Sequence, residues 1–327
     1  MEPAIFRPIV SQPNFSMNVT TQVKNVQDFW GTEACGTHFI KDFENEADFF
    51  AKYREYRYET EWHIPLVVPF DDGKDKDVLE IGCGNGVDGV MWAKAGARYT
   101  GVDLTEAAVG ATKTHFECLG LEGTFQQENA QGLSFDDASF DIVYSHGVLH
   151  HTPEPERAFD EVFRVLKPGG RAVLMLYHKS SFNYHFRIMT YMRIRTLLKI
   201  ASRVGRWGGD RKRLKDEIQG VRGNEDSAVY QIHYDNWLRD GWSYLKPKNF
   251  VHHCTDGPEC PYAFVYSGKD VQRIFGKNFA DVSTRVTHFP LNRYPILRSL
   301  PHAFEKALAR TMGWYLFIYA TKPETRS

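Results

Sequence analysis

Short apolar runs alternate with amphipathic stretches from Asp77 onward. Val78–Ile81, Arg98–Val102, Thr124–Gln127, Asp141–Tyr144 and Arg171–Tyr177 read as strands, and Val87–Ala95, Glu106–Leu119 and Glu156–Leu166 as the helices between them. Phe159, Val162, Phe163 and Leu166 fall at helical spacing, so one face of the last helix packs. Pro168-Gly169-Gly170 then stops that helix and turns the chain into the next strand. Strand and helix in alternation predict a parallel sheet with right-handed crossovers. The alternation ceases after Tyr177. Residues 179–265 hold no comparable strand series, and a structureless loop of that length inside a domain is uncommon, so an inserted, largely helical subdomain is expected. A helix at Gly268–Phe275, a strand at Asp281–Thr287, a short helix over Ala303–Thr311 and a last strand at Tyr315–Ala320 follow. Those two strands predict an antiparallel hairpin at the sheet edge. Upstream, Asn25–Trp62 reads as mainly helical with a break at Ala34-Cys35-Gly36-Thr37. It is dense in aromatics (Phe29, Trp30, Phe49, Phe50, Tyr53, Tyr56, Tyr58, Trp62), as a packed cap or as the lining of a pocket.

The expected fold is therefore α/β, a Rossmann-like seven-stranded, mostly parallel sheet with helices on both faces. Residues 1–75 form an N-terminal helical cap, 76–178 the core, 179–265 an insert or lid, and 266–327 the completion of the sheet. The 327-residue length suits one enlarged domain, long enough to bury a core without disulfides or metals. Composition narrows the function classes. Forty basic against forty-one acidic residues leave a net charge of −1, which disfavours a globally basic nucleic-acid binder. Five cysteines, few and odd in number, are no disulfide framework and fit a reducing cytosol. No signal peptide or membrane span is visible, so a soluble cytoplasmic protein is expected.

The candidate chemistry centres on Val78-Leu79-Glu80-Ile81-Gly82-Cys83-Gly84-Asn85-Gly86. A buried strand ends in alternating glycines and a helix follows. Glycine lets the turn tighten and the backbone approach a ligand, and the helix N-terminus offers free N–H groups to an anionic group. Asp103 ends the next strand, where a carboxylate accepts hydrogen bonds from ribose hydroxyls at the carboxyl edge of such sheets. Gly84-x-Gly86-x-x-Gly89 also matches the dinucleotide fingerprint, so these two features alone leave an NAD(P)-dependent oxidoreductase open.

Further motifs separate the readings. Glu80-x-Gly82-x-Gly84-x-Gly86 with Asp103 resembles motif I and its sequel in class I S-adenosylmethionine (SAM) methyltransferases. Glu128-Asn129-Ala130-Gln131-Gly132-Leu133-Ser134-Phe135 resembles the segment after strand three. Phe140–His151 and Leu166-Lys167-Pro168-Gly169-Gly170 resemble the strand-four motif and the turn before strand five of the ubiquinone-biosynthesis-like subgroup. The resemblance covers residues 76–178 and, more loosely, 266–320. It implies SAM as cofactor and roles by position. Glu80 opens the motif and Gly82, Cys83, Gly84 and Gly86 face the methionine part, Cys83 being a small filler. Asp103 binds the ribose and Leu104 packs on the adenine. Asn129 and Ala130 read the adenine edge, with Asn129 standing where Asp is usual. Ser145 and His146 lie near the methionine moiety or the transferred methyl.

Methyl transfer needs alignment of the acceptor first, and a base only when the acceptor carries a proton. His146, His150, His151 and His178 are the candidates; His151 ranks first, with His146 beside it. Tyr177 and His178 are the expected substrate-side residues. His252-His253-Cys254-x5-Cys260 does not follow a standard zinc spacing, so no metal is expected; residues 255–262 read as an ordered turn that brings Tyr262 or Tyr266 towards the pocket. In the insert, Ile194, Leu197, Leu198, Ala201 and Val204 share one helical face, and Arg195, Lys199, Arg203 and Arg206 the opposite one. Residues 187–223 hold 11 Lys+Arg against 3 Asp+Glu. That helix reads as a lid with a solvated outer face, or as a contact for a membrane surface, an anionic substrate or a nucleic acid. The expected function is SAM-dependent methyl transfer to a small molecule, the methylated atom (N, O, S or C) left open. A protein or RNA acceptor and a non-catalytic SAM-binding module are the alternatives.

Overall fold

The computed structural model describes residues 19–32, 40–207, 225–289, 291 and 301–324. The expected break at 34–37 lies outside these residues. Eight strands form one sheet in the order β3-β2-β1-β4-β5-β8-β7, with the short β6 paired to the end of β5. They are β1 (Asp77–Ile81), β2 (Arg98–Asp103), β3 (Thr124–Gln127), β4 (Phe140–His146), β5 (Leu166–His178), β6 (Val265–Tyr266), β7 (Ala280–Thr287) and β8 (Tyr315–Thr321). β1 to β6 pair in parallel, and β8 runs antiparallel to both β5 and β7. The chain order reverses between β1 and β4, the position at which open α/β sheets bind ligands beyond their carboxyl ends. The sequence pattern anticipated seven of these strands. The two-residue β6 is too short to leave a periodic signature.

The main helices are α1 (Val19–Thr32), α2 (Glu46–Thr60), α3 (Ile64–Val67), α4 (Val87–Lys94), α5 (Glu106–Leu119), α6 (Pro155–Val165), α7 (Arg193–Trp207), α8 (Glu225–Asp240), α9 (Gly268–Phe275) and α10 (His302–Met312), with one further helical turn at Pro247–Phe250. Their ends follow local chemistry. The Asn45 side chain accepts from the Asp48 N–H at the start of α2, and Thr105 caps α5, which closes on the left-handed Gly120. Ser267 and Asp270 cap α9 reciprocally. A π-helical stretch over Asn183–Met192 leads into α7.

Two apolar layers sandwich the sheet. Ile142, Tyr144, Val173, Met175, Tyr177 and Phe317 face the side carrying α3, α4 and the insert. Val143, Leu174, Leu176, Leu316 and Ile318 face α6 and α9. This period-two alternation decides which side chains at each strand end can meet.

Candidate active site

The loop after β1 folds back over the end of β2. The N–H groups of Gly82 and Cys83 both donate to the Val102 carbonyl, at 2.7 and 3.0 Å. Gly82, Gly84 and Gly86 all have positive φ, at 83°, 55° and 73°. Their roles differ. A Cβ on Gly82 would fall 2.2 Å from the Val148 side chain, and one on Gly86 2.8 Å from Thr112, whereas one on Gly84 would meet no atom within 4 Å. Gly82 and Gly86 are therefore packed from within the chain, and Gly84 is the open point of the loop, where a ligand can approach bare backbone.

Asp103 holds that open point. Its Oδ2 accepts from the Gly84 N–H at 3.2 Å, and its Oδ1 from the Thr105 N–H and hydroxyl, both at 3.0 Å. Burial raises its carboxyl, and the donated N–H groups oppose the rise. Oδ2 has one protein donor, so it keeps capacity for another from a hydroxyl. The Leu104 carbonyl takes Gln27 Nε2 from α1 at 3.2 Å and Gln127 Nε2 at 2.9 Å. α1 thus lies against the end of β2. Ala130 is buried. Asn129 Oδ1 accepts from the Gln131 N–H at 3.0 Å, which turns its side chain onto its own loop. The loop's open glycine and the Asp103 oxygen beside it fit an adenosyl group with ribose hydroxyls, so Gly82–Gly86 and Asp103 would hold SAM.

Other expected residues sit beneath the loop. Glu80 is buried and accepts from the Tyr99 hydroxyl at 2.6 Å. Burial, then the Asp88 charge, hold its carboxyl well above the usual range. Ser145 donates to the Ile81 carbonyl at 2.8 Å and ties β4 to β1. Cys83 is buried, and burial and then Asp103 push its thiol up, which agrees with a filler.

The histidines separate by register and partner. His178 faces away from Tyr177, as strand neighbours must. Its Nδ1 lies 3.0 Å from the Gly313 carbonyl, so it anchors the start of β8 and does not join Tyr177. His146 Nδ1 stands 3.4 Å from Arg57 Nη2. Arg57 can only donate, so this bond uses the imidazole lone pair and puts the proton of the neutral ring on Nε2. His146 in that form offers a proton and cannot accept one. Burial, foremost, lowers its pKa and favours the neutral ring.

His151 has the complementary arrangement. Its Nδ1 lies 2.6 Å from the Tyr262 carbonyl, an acceptor, which fixes the N–H at Nδ1 and leaves Nε2 with the lone pair. Nε2 is buried without a hydrogen-bond partner and lies 3.5 Å from Asp256 Oδ2. Trp30 of α1 meets the ring edge-on at 5.1 Å. The Tyr177 hydroxyl reaches both Asp256 oxygens, at 3.0 and 3.1 Å. The neighbouring His150 is fully buried, its ring centroid 4.1 Å from that of Tyr177. The loop after β4, the end of β5, α1 and the insert thus converge on one point at the carboxyl edge of the sheet.

Beside this point lies a buried charge cluster that no motif announced. Arg57 from α2 pairs with Asp88 of α4 at 2.8 Å and with Glu61 at 2.9 Å. Tyr58 and Tyr144 donate to Asp88 at 2.9 and 2.8 Å, and Tyr315 donates to Glu61 at 2.5 Å. Burial opposes both carboxylates, yet Arg57 beside them holds each below its ordinary value. The only sequence hint was a carboxylate, Asp88, in the first turn of a helix otherwise apolar on its packed side. Asp256 had no hint at all beyond its place in a turn-forming stretch.

A family profile described as a methyltransferase domain matches residues 79–174. A ubiquinone biosynthesis O-methyltransferase of Coxiella burnetii is 34% identical over 118 residues, which are 36% of this chain and 48% of that protein. The chain thus spans about half the length of that curated relative. The protein of the same name from Stutzerimonas stutzeri is 27% identical over 171 residues, covering 49% of this chain and 74% of the relative. Among solved structures, the magnesium protoporphyrin IX methyltransferase of Synechocystis with bound SAH aligns at a TM-score of 0.48 and 14% identity over 91% of this chain and 99% of that one. The profile match thus falls on the β1–β5 core with the glycine loop at its edge, and over residues 79–174 the chain is similar to methyltransferase domains.

Proposed function

We propose that the protein transfers a methyl group from SAM to a hydroxyl of a small molecule, with His151 as the base. The observation that carries this reading is the His151 ring, whose Nδ1 is pinned by the Tyr262 carbonyl so that Nε2 is the free lone pair at the sheet edge. SAM, when bound, supplies an electrophilic methyl on a sulfonium. The chain's own groups do the rest. Gly82–Gly86 and Asp103 orient the cofactor, His151 Nε2 takes the acceptor proton, and Asp256, held by Tyr177, stabilises the ring once it is charged. Trp30, Tyr177 and the insert exclude water around the acceptor. The relatives' name, ubiquinone biosynthesis O-methyltransferase, supports an oxygen acceptor in cofactor-related metabolism. Incubation with SAM and a panel of phenols and alcohols, read by mass spectrometry, should give a product heavier by one methylene. Loss of at least about 100-fold in kcat for His151→Ala, with KM for SAM retained, is expected from removal of a general base. Full kcat in that variant would overturn the assignment.

The insert supports a second element of this reading, contact of its apolar outer face with a membrane surface. Among the described side chains of α7, Thr196 and Ile200 are the buried ones, whereas Ile194, Leu197, Leu198 and Ala201 are exposed. The face expected to pack is the outer one; Val204 and Arg206 lie outside the described side chains. With Trp242, 64% exposed, it forms a wholly apolar groove of about 390 Å³. Arg195, Lys199 and Arg203 lie on the opposite side of α7, where Arg195 sits over the Tyr230 ring of α8 at 4.3 Å, so the groove itself is lined by apolar side chains alone. No helix among the described residues is long and apolar enough to cross a membrane. Lipid vesicles should sediment the protein, and Leu198→Asp should release it. Retention on RNA with a steep salt dependence, and none on vesicles, would favour the polyanion alternative.

A further inference from the structure

The loop after β4 meets the insert at three metal-ligating side chains. A ring nitrogen of His151, a carboxylate oxygen of Asp256 and Cys260 Sγ all lie within 4.8 Å of one another, the one such group of three among the described residues. His151 and Cys260 are buried, at 3% and 0% exposure. The spacing of His252, His253, Cys254 and Cys260 in the sequence gave no zinc pattern. The fold brings Cys260 to a histidine more than a hundred residues earlier.

We propose that His151, Asp256 and Cys260 bind a borderline-soft divalent cation of the zinc class. Four observations carry the site. A ligating histidine donates its other ring N–H to a carbonyl or carboxylate, and His151 does so to Tyr262 at 2.6 Å. The Nε2 lone pair this leaves is buried, has no hydrogen-bond partner and faces a carboxylate oxygen at 3.5 Å. Two acceptors face to face repel unless a cation or proton lies between them. Nitrogen and oxygen ligands at about 2.1 Å from a tetrahedral zinc stand about 3.4 Å apart, which matches that separation. The Asp256 carboxylate is itself oriented, by the Tyr177 hydroxyl. Cys260 Sγ lies within 4.8 Å of an Asp256 carboxylate oxygen and is held beside the ring by the Tyr262 carbonyl at 3.2 Å. Coordination replaces its thiol proton, which leaves to solvent. One nitrogen, one oxygen and one sulfur donor select zinc or cobalt over magnesium or calcium, which prefer all-oxygen sites.

Such an ion joins the insert to the β4 loop. It also occupies Nε2, so on the reading of His151 as base it switches methyl transfer off. The full metal-free chain is titrated with Zn²⁺ against a chromophoric chelator, and separately with Co²⁺, without SAM or acceptor. One ion per chain and a sulfur-to-cobalt charge-transfer band are expected. Cys260→Ser should abolish the band, and both it and Asp256→Asn should weaken zinc binding at least 10-fold; far-ultraviolet dichroism checks that each variant is folded. Absence of binding, or binding unchanged in both folded variants, overturns the site and leaves His151 and Asp256 as a proton-bridged pair. Zinc should then slow methyl transfer and a chelator restore it. Full turnover with the site demonstrably filled would overturn the inhibitory role and the base assignment, while the binding curves stand apart from both.

Discussion

The Arg57 cluster offers a sharp test of how the helical cap is held. Arg57→Met keeps most of the side-chain volume and removes the guanidinium. Asp88 and Glu61 then stay buried as anions, with side-chain exposures of 3% and 12%. Removal of one partner from a buried ion pair costs about 3–5 kcal/mol. Here the tyrosines soften the loss, because Tyr58 and Tyr144 still donate to Asp88, and Tyr315 to Glu61. The expected cost is therefore near the lower end, about 3 kcal/mol, or roughly a 150-fold shift in the folding equilibrium. Urea unfolding followed by tryptophan fluorescence would read it. Asp88→Asn alone should also destabilise, and the double variant should lose at least about 1.5 kcal/mol less than the sum of the singles. Additive losses, or an Arg57→Met cost below about 1 kcal/mol, would refute the claim that this ion pair secures α2 to the core. The pH dependence has a definite sign. Asp88 and Glu61 have folded-state values below their unfolded ones. Their contribution is complete above the unfolded carboxylate range and is lost as pH falls through the folded values. The wild-type midpoint should fall more steeply on acidification than that of Arg57→Met.

The remaining predictions are shorter. Asp103→Ala removes a charged acceptor from both the loop and the ribose position, so calorimetry should show SAM and S-adenosylhomocysteine affinity reduced at least about 10-fold; NAD should bind neither protein, and NAD binding would overturn the cofactor assignment. Gly82→Ala places a methyl 2.2 Å from Val148 at a φ of 83° and should lower both thermal stability and SAM affinity. At Gly84, with no atom within 4 Å, alanine strains the backbone at φ 55° but meets no wall, so cofactor affinity should suffer more than stability. Ser267→Ala removes the α9 cap and should cost about 1 kcal/mol with turnover unchanged.

The core was legible because parallel strands buried on both faces leave continuous apolar runs, and each helix between them carries its own punctuation. Thr105 before α5 and Gly120 after it are local signals, visible without the fold. The helical wheel of α7 predicted that its apolar face packs and its basic face is solvated, and the structure turns the apolar face outward. The buried line is Ile188, Met192, Thr196 and Ile200, one residue in four along the helix, and the exposed leucines lie beside it. The place of Asp103 at the end of β2 and of the glycines in the loop after β1 was legible from spacing. Asp256 and Cys260 were not, because their partner His151 lies across the insert and no periodicity links the two segments. His178 was misplaced for a simpler reason: adjacent residues of a strand point to opposite faces, so only one of Tyr177 and His178 could enter the pocket.

β6 has a consequence for how such a chain can be rebuilt. Val265 pairs with Tyr177 and Tyr266 with His178, so the insert departs from the end of β5 and re-enters beside the same residues. Its two ends stand about one strand spacing apart, roughly 5 Å. An excursion with adjoining ends behaves as an exchangeable cassette: because β5 and β6 run parallel, a crossover of about a dozen residues suffices to replace it, and a different segment can be grafted across without shifting the register of β5 against β4 and β8. The sheet and the insert can therefore diverge at different rates, and on the proposed reading a chimaera that swaps residues 179–264 is a direct way to move acceptor preference between scaffolds.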